Sequence, residues 1–422
     1  MFFNTTGHHE AFRTIVRNFA ETEIKPAAED SDRENRFPDE VVARMGRLGI
    51  MGIPFPEKYG GGELDTISYA IAVEELSRVD GGLGVILSAH TSLVSYPIMA
   101  YGTETQKEKY LFPMAKGEKL GAFGLAESGA GSDAGGIRTT AALDGDHYIV
   151  NGGKVFVSNA PKAGVYIIFA VTTPGIGKRG ISAFIVEKGW EGFSFGKLYD
   201  KPGVRSSFTA ELIFDSLKVP KENLLGKEGQ GYKIAIDSLC GGRISAAAQA
   251  LGIAQGAYES ALGCAKGRKQ SGKPIAFQHM VSFKLADMAT KLRACRMLVY
   301  GAADLKTNHE PYAAESAMAK YYTSDRCLEI VDDALLILGG SGFIKGSDVE
   351  RFYRDARNCT IRESTNEIQR VIVATSRVDK KPRTQASASR KEPAAGERKK
   401  IVWKDSAAAN KTGKRTFVPD QE

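Results

Sequence analysis

No two of the five cysteines, Cys240, Cys264, Cys295, Cys327 and Cys359, lie close in sequence. That spacing argues against a disulfide framework and against zinc or iron–sulfur ligation. The six histidines are scattered too, apart from His8-His9, so no metal site is expected. No apolar run reads as long enough to span a bilayer. The start, MFFNTTGHHEAFRTIVRNFAE, has neither a signal-peptide apolar block nor an Arg/Ser-rich transit character. The expected compartment is a reducing cytoplasm, with no membrane association. A basic face on the body is missing as well. The formal net charge of +7 comes wholly from Lys380–Glu422, where twelve Lys/Arg stand against five Asp/Glu. The rest is neutral, which excludes the usual nucleic-acid enzyme with its folded basic surface.

What is present is a long chain of ordinary globular composition. Its 422 residues exceed what one core supports and predict two or three domains. Residues 1–120 read as helical: Phe12, Ile15, Val16 and Phe19 follow helical spacing, as do Val41, Val42, Met45 and Leu48. IPFPEKYGGGELD is a Pro/Gly-punctuated loop, after which Ile67–Arg78 and Tyr110–Lys116 resume the pattern. Over 121–225 the runs HYIVNGGKVFVSN, VYIIFAVTT, ISAFIVEK and AELIFDSLKVP are β-branched and aromatic, which predicts a small antiparallel β-domain. Over 226–378 helices return at Arg243–Cys264, Phe277–Leu305, Pro311–Leu338 and Glu363–Val373, with Met288, Leu292, Cys295 and Val299 as one apolar stripe. Residues 379–422 are basic and poor in hydrophobes, the composition of a disordered tail, with Trp403 and Phe417 as isolated apolar residues.

Several short stretches are candidates for chemistry. In RNCTIRESTNEIQ, Arg357–Gln369, Glu363 stands between an apolar approach and a helical pattern, placed like a general base whose pKa burial would raise. Alone, it reads more simply as a first-turn carboxylate favoured by the helix dipole. FGLAESGAGSD, Phe123–Asp133, exposes successive backbone N–H groups that suit a phosphate or a ring carbonyl, yet Gly-rich turns are common. It is not a dinucleotide fingerprint, because no strand-GxGxxG-helix unit surrounds it. In NGGKVFVSN, alternation sets Phe156 and Ser158 on one face, able to flank a ring or simply to form a strand. Arg268 and Gln278 in RKQSGKPIAFQ suit phosphate and adenosine, or solvent and a cap. LGGSGF, Leu338–Phe343, permits close backbone approach or merely ends a helix.

Together and in this order, LAESGAGSDAGG, QGYKIAIDSL, FQHMVSFKLADMA, LGGSGF, RFYRDAR and ESTNEIQR resemble the acyl-CoA dehydrogenase family, from about Glu10 to Val378. The resemblance implies a mainly α protein with a middle β-domain: a helical N-domain, an antiparallel β-barrel-like middle domain and a C-terminal four-helix bundle. It implies FAD, an acyl-CoA substrate, an electron-transfer flavoprotein as acceptor, and a homotetramer (or homodimer) in which FAD crosses a subunit interface. Phe123, Leu125, Ala126, Gly131, Ser132, Phe156, Val157 and Ser158 would line the flavin. Arg268, Gln278, Leu336, Gly339 and Gly340 would reach a neighbour's FAD, with Thr365 and Glu367 at its phosphate and adenosine portion. Ser132, Cys240, Gly242, Arg243 and Ser364 match positions that touch acyl-CoA. Glu363 matches the catalytic base of short- and medium-chain members, removing the α-proton while the β-hydride passes to flavin N5. Some relatives carry the base at the position that is Gly242 here, so Glu363 has no competitor.

Several residues depart from the family pattern: Ala126 for Thr, Ser128 for Pro, Phe156 for Trp, Cys240 for Asp, Ser271 for an aromatic, Leu336 for Gln, Arg362 for Tyr and Ser364 for Gly. Arg362 beside the base favours an acyl group with a polar or anionic end. An enoyl-CoA reductase running the reverse reaction uses the same residues. An oxidase, or a catalytically weak homologue acting as a scaffold, are the other readings.

Overall fold

Thr66–Ser77 is buried along all 12 of its residues, so it has no polar stripe and sits in the core. Asp65 caps it, accepting from the Ser68 N–H at 2.7 Å. It packs against Gly231–Gly267, a 37-residue helix that is the longest element among the described residues. Close approach is possible because a Cβ at Gly252 would clash with the Glu74 carbonyl, and one at Gly256 with that of Arg78. The computed structural model describes residues 5–378; the expectations for the basic tail, including Trp403 and Phe417, lie outside the described residues.

The helical layer continues through His279–Thr307, Ala313–Leu338, Asp348–Cys359 and Asn366–Val378. Its core carries an ionic cluster. Burial pushes the Glu74 carboxyl up, but Arg296 and Arg13 outweigh it and hold it below the usual range. Arg296 Nη2 reaches Glu74 Oε1 at 2.5 Å, and Arg13 Nη1 reaches Glu75 Oε1 at 2.6 Å. The run Gly81–Tyr101 departs from the sequence reading. At 21 residues and a mean hydropathy of 1.4 it is long and apolar enough to cross a bilayer, but 83 % of its apolar window is buried within the fold. A π-helical turn, Ala89–Ser95, interrupts it.

Between the helical regions lies a sheet of β1 (Gly121–Gly124), β2 (Thr140–Asp144), β3 (His147–Ser158), β4 (Val165–Val171), β5 (Ile181–Glu187), β6 (Phe193–Leu198), β7 (Thr209–Pro220) and β8 (Leu224–Leu225). The order is β6-β7-β3-β2-β4-β5-β8, with β1 paired to β4. This corrects the expected antiparallel, barrel-like domain in two ways. The sheet is mixed, because β1 and β2 both run parallel to β4. It is also open: closure needs the end strands to pair, and β6 pairs only with β7 while the two-residue β8 pairs only with β5. β4 and β5 are buried almost throughout, hence their unbroken apolar runs.

Loop Gly203–Ser207 joins the sheet region to the helices through two buried carboxylates. Asp355 accepts from the Val204 N–H at 2.5 Å, and Asp80 accepts from Ser206 Oγ at 2.7 Å. Burial, then the neighbouring Asp80, pushes the Asp355 carboxyl up to about 7, against 3.8 ordinarily. A raised carboxyl stabilises fully below its unfolded pKa, and that share is lost as pH rises through the folded one. Asp355→Asn should therefore gain on the parent by at least about 1 kcal/mol between about pH 4 and pH 8. Urea melts of both proteins at each pH check this; a constant gap refutes it.

Candidate active site

The segment Thr360–Thr365 joins Asp348–Cys359 to Asn366–Val378 and is tied from below. Lys320 Nζ donates to the Thr360 carbonyl at 3.2 Å, the Ser364 carbonyl at 2.8 Å and Asn366 Oδ1 at 2.8 Å. Gln369 Nε2 donates to the Glu363 carbonyl at 3.1 Å. These bonds hold Glu363 at φ 55° and Ser364 at φ 73°, the left-handed region that side chains resist. The helix expected from Glu363 onward thus begins only at Asn366, because two successive left-handed residues cannot enter a right-handed helix.

The turn aims the Glu363 side chain inward, where it is only 5 % exposed. Oε1 accepts from Arg362 Nη2 at 3.1 Å, whereas the buried Oε2 has no partner. The space beside Oε2 belongs to Gly242, whose Cβ, if present, would lie 2.8 Å from Oε2 and 2.9 Å from Leu93 Cδ2. Gly242→Ala is expected to displace the carboxylate and cut turnover by about 10- to 100-fold, measured as kcat with the thermal midpoint as a folding control. Arg362 also donates to Gln249 Oε1 at 2.6 Å and to Ser88 Oγ at 2.9 Å. Sequence reading missed Ser88, Gln249 and Lys320, since each sits within a helical run with no motif around it.

Cys240 and Arg243, one helical turn apart, are both buried and meet at 3.4 Å through Arg243 Nη1 and Cys240 Sγ. Arg243 Nε is left without a partner. Burial pushes the Cys240 thiol up, and Arg243 opposes this. So Gly242 and Glu363 are brought together, with Cys240 and Arg243 on the same stretch of helix.

A second group gathers at the ends of β1 and β3. The Ala126 carbonyl accepts from the Val155 N–H at 2.9 Å. Leu125 is buried, Phe123 is half-buried edge-on to Phe169 at 5.0 Å, and Gly131 and Ser132 stand exposed on the turn. Phe156 sits where the β3–β7 register slips, at φ 57°, with its ring 66 % exposed and stacked on Tyr199 at 4.9 Å. Ser158 is half-buried, but the Val157 side chain points into the sheet core and offers only its backbone. An uncovered aromatic face beside an open Gly-rich turn fits a flat, polar ring system such as that of FAD.

A third group lies at the far end of the helices. Arg268 Nη1 donates to the Leu338 carbonyl at 3.4 Å, beside Gly339 at φ 65°. Gln278 Nε2 donates to Gln270 Oε1 at 2.9 Å, and Leu336 and Gly340 are exposed. Thr365 and Glu367 stand apart from this group, directly after Glu363: the Glu367 carboxyl is held below its usual range by its own backbone N–H, then by Thr365, at the start of Asn366–Val378.

The chain is similar to known proteins in sequence and fold. Residues 6–118, 122–217 and 229–377 match the acyl-CoA dehydrogenase N-terminal, middle and C-terminal domains. The chain is 49 % identical over 374 residues to a short-chain-specific acyl-CoA dehydrogenase of Clostridium acetobutylicum, covering 89 % of this chain and 99 % of that one. It superposes on butyryl-CoA dehydrogenase of Megasphaera elsdenii with a TM-score of 0.88 at 44 % identity, covering 89 % and 99 % of the two chains. A chain solved in work on the electron-transferring flavoprotein of Acidaminococcus fermentans gives a TM-score of 0.89 at 48 % identity, covering 90 % and 100 %. With matches to all three domains in order and near-complete coverage at such identity, the chain belongs to the acyl-CoA dehydrogenase family, FAD-dependent oxidoreductases.

Proposed function

We propose that Glu363 is the general base of an α,β-dehydrogenation that converts an acyl-CoA to its trans-2-enoyl-CoA. The observation that carries this is the buried, unpartnered Oε2 of Glu363 lying against the space that Gly242 leaves open. A carboxylate cannot take a thioester α-proton unaided, so the carbonyl oxygen needs donors as charge builds on it. The Glu363 N–H makes no hydrogen bond among the described residues and is available for that. One such donor is worth about 3 kcal/mol. Arg243, with a buried unpartnered N–H, and Cys240, Gly242, Ser364 and Ser132 hold the thioester and its amide arm.

Bound FAD supplies the hydride acceptor. Phe123, Leu125, Ala126, Gly131, Ser132, Phe156, Ser158 and the backbone of Val157 line its ring. Arg268, Gln278, Leu336, Gly339, Gly340, Thr365 and Glu367 serve the cofactor of a second copy. Exposed Phe277, Met280, Phe283 and Phe343 neighbour these residues in sequence and support assembly, as a homotetramer, through this face. Reducing equivalents leave to an electron-transferring flavoprotein, and five unpaired cysteines suit a reducing cytoplasm. We assign residues 1–120 to the N-terminal domain, 121–225 to the middle domain and 226–378 to the C-terminal domain. The test is an anaerobic titration with butyryl-CoA: bleaching of the flavin band supports the reading, and a bound flavin that no acyl-CoA reduces ends it.

A further inference from the structure

Arg362 shares its guanidinium between Glu363 and a wholly polar wall. Beyond Ser88 and Gln249 the hydrogen bonds run on, from Ser88 Oγ to Ser245 Oγ at 2.8 Å, Ser245 to Ser92 at 3.2 Å and Ser92 to the Tyr69 hydroxyl at 2.9 Å. Ser88, Gln249, Ser245, Ser92 and Tyr69 are at most 2 % exposed. A site meant only for methylenes gains nothing from a guanidinium beside its base, since each buried polar group must be paired. Of the five guanidinium N–H groups, one on Nη1 and the one on Nε have no acceptor among the described residues. Arg362 Nη2 lies 3.1 Å from Glu363 Oε1, so these free donors belong to the side chain that borders the base. Arg362 and Glu363 neutralise one another, so a carboxylate on the acyl group would set a second anion beside the base in a low-dielectric site. A neutral oxygen meets the free donors without that cost.

Resting on the dehydrogenase reading above, we propose that this site selects an acyl-CoA carrying a neutral hydroxyl on the carbon next beyond the reacting pair, bound by Arg362. Dehydrogenation leaves that hydroxyl intact. Its proton and hydride come from the α- and β-carbons, as for any saturated acyl-CoA.

The test uses the flavin-loaded enzyme with butyryl-CoA, 4-hydroxybutyryl-CoA and glutaryl-CoA, following flavin bleaching and steady-state turnover. The expected kcat/KM for the hydroxylated substrate exceeds that for butyryl-CoA by at least about tenfold, because donors placed for an oxygen are left unpaired by a methyl group. In Arg362→Leu the ratio of the two falls to about one, and Arg362→Lys, which keeps the charge but not the fork, lies between. Flavin content and the thermal midpoint check that each variant folds; if Leu does not, Lys carries the comparison, and a ratio unchanged from the parent overturns the proposal. Equal or better use of butyryl-CoA by the parent also overturns it, with the dehydrogenase reading intact. Preference for glutaryl-CoA overturns the choice of a neutral group. Failure of all three to bleach a bound flavin removes the underlying reading instead.

Discussion

Glu363→Gln is expected to keep bound FAD and lose turnover by on the order of 10³-fold. The amide has the same size and still offers an oxygen to Arg362 Nη2, so the turn at Thr360–Thr365 keeps its bonds to Lys320 and Gln369. What it lacks is a site for the α-proton. None of the residues assigned to the flavin ring relies on the Glu363 side chain, so the protein should remain yellow. Acyl-CoA should still bind and perturb the flavin spectrum, now without bleaching it. The free energy at stake, about 4 kcal/mol for 10³-fold, lies in the barrier, whereas loss of the Arg362 ion pair is felt in stability. Stopped-flow absorbance separates the two effects. A variant that bleaches at the parent's rate places the base elsewhere, and one without flavin makes Glu363 structural.

Lys320→Met should destabilise the fold by roughly 3 kcal/mol, because three acceptors lose a buried, charged donor at once. Two are the Thr360 and Ser364 carbonyls on either side of Glu363, and the third is the Asn366 amide that starts the last helix. Activity falls further than stability alone requires, since the left-handed pair Glu363–Ser364 is retained only while its surroundings insist on it. The group also leaves a mark in pH. Burial pushes the Lys320 ammonium down to about 8, against 10.5 ordinarily. Between those values the unfolded chain holds more protons than the folded one, so stability gains from this group as pH climbs from about 8 to 10.5. Denaturant melts over that window should show a slope in the parent that the methionine variant lacks; matching slopes would refute the assignment.

The helix–sheet–helix order was legible because each region announces its period. Val41, Val42, Met45 and Leu48 repeat as a helix does, and VYIIFAV and ISAFIVE are β-branched runs whose near-complete burial explains their lack of alternation. The same burial hid other features. Gly81–Tyr101 is apolar on all sides because protein surrounds it, and apolarity alone does not tell a core helix from a membrane span. The sheet's shape was illegible because pairing partners are distant: β1 and β2 meet the same edge of β4 from 44 and 31 residues away, a matter of chain path.

Around the site the division is sharper. Family membership followed from motifs written in short stretches, ESTNEIQR above all, and those stretches singled out Glu363 without any coordinates. Local pattern nonetheless placed Glu363 inside a helix. Only the tertiary structure sets it in a left-handed turn, because the bonds that enforce the turn come from Lys320, 43 residues earlier, and from Gln369. Likewise, Arg362 is visible in sequence as a basic neighbour, but its engagement with Ser88 and Gln249 depends on two distant helices meeting the turn that carries it. The chain's chemistry is carried by residue identity, which sequence records directly. The orientation and pairing of those residues depend on contacts between distant segments, which only folding creates.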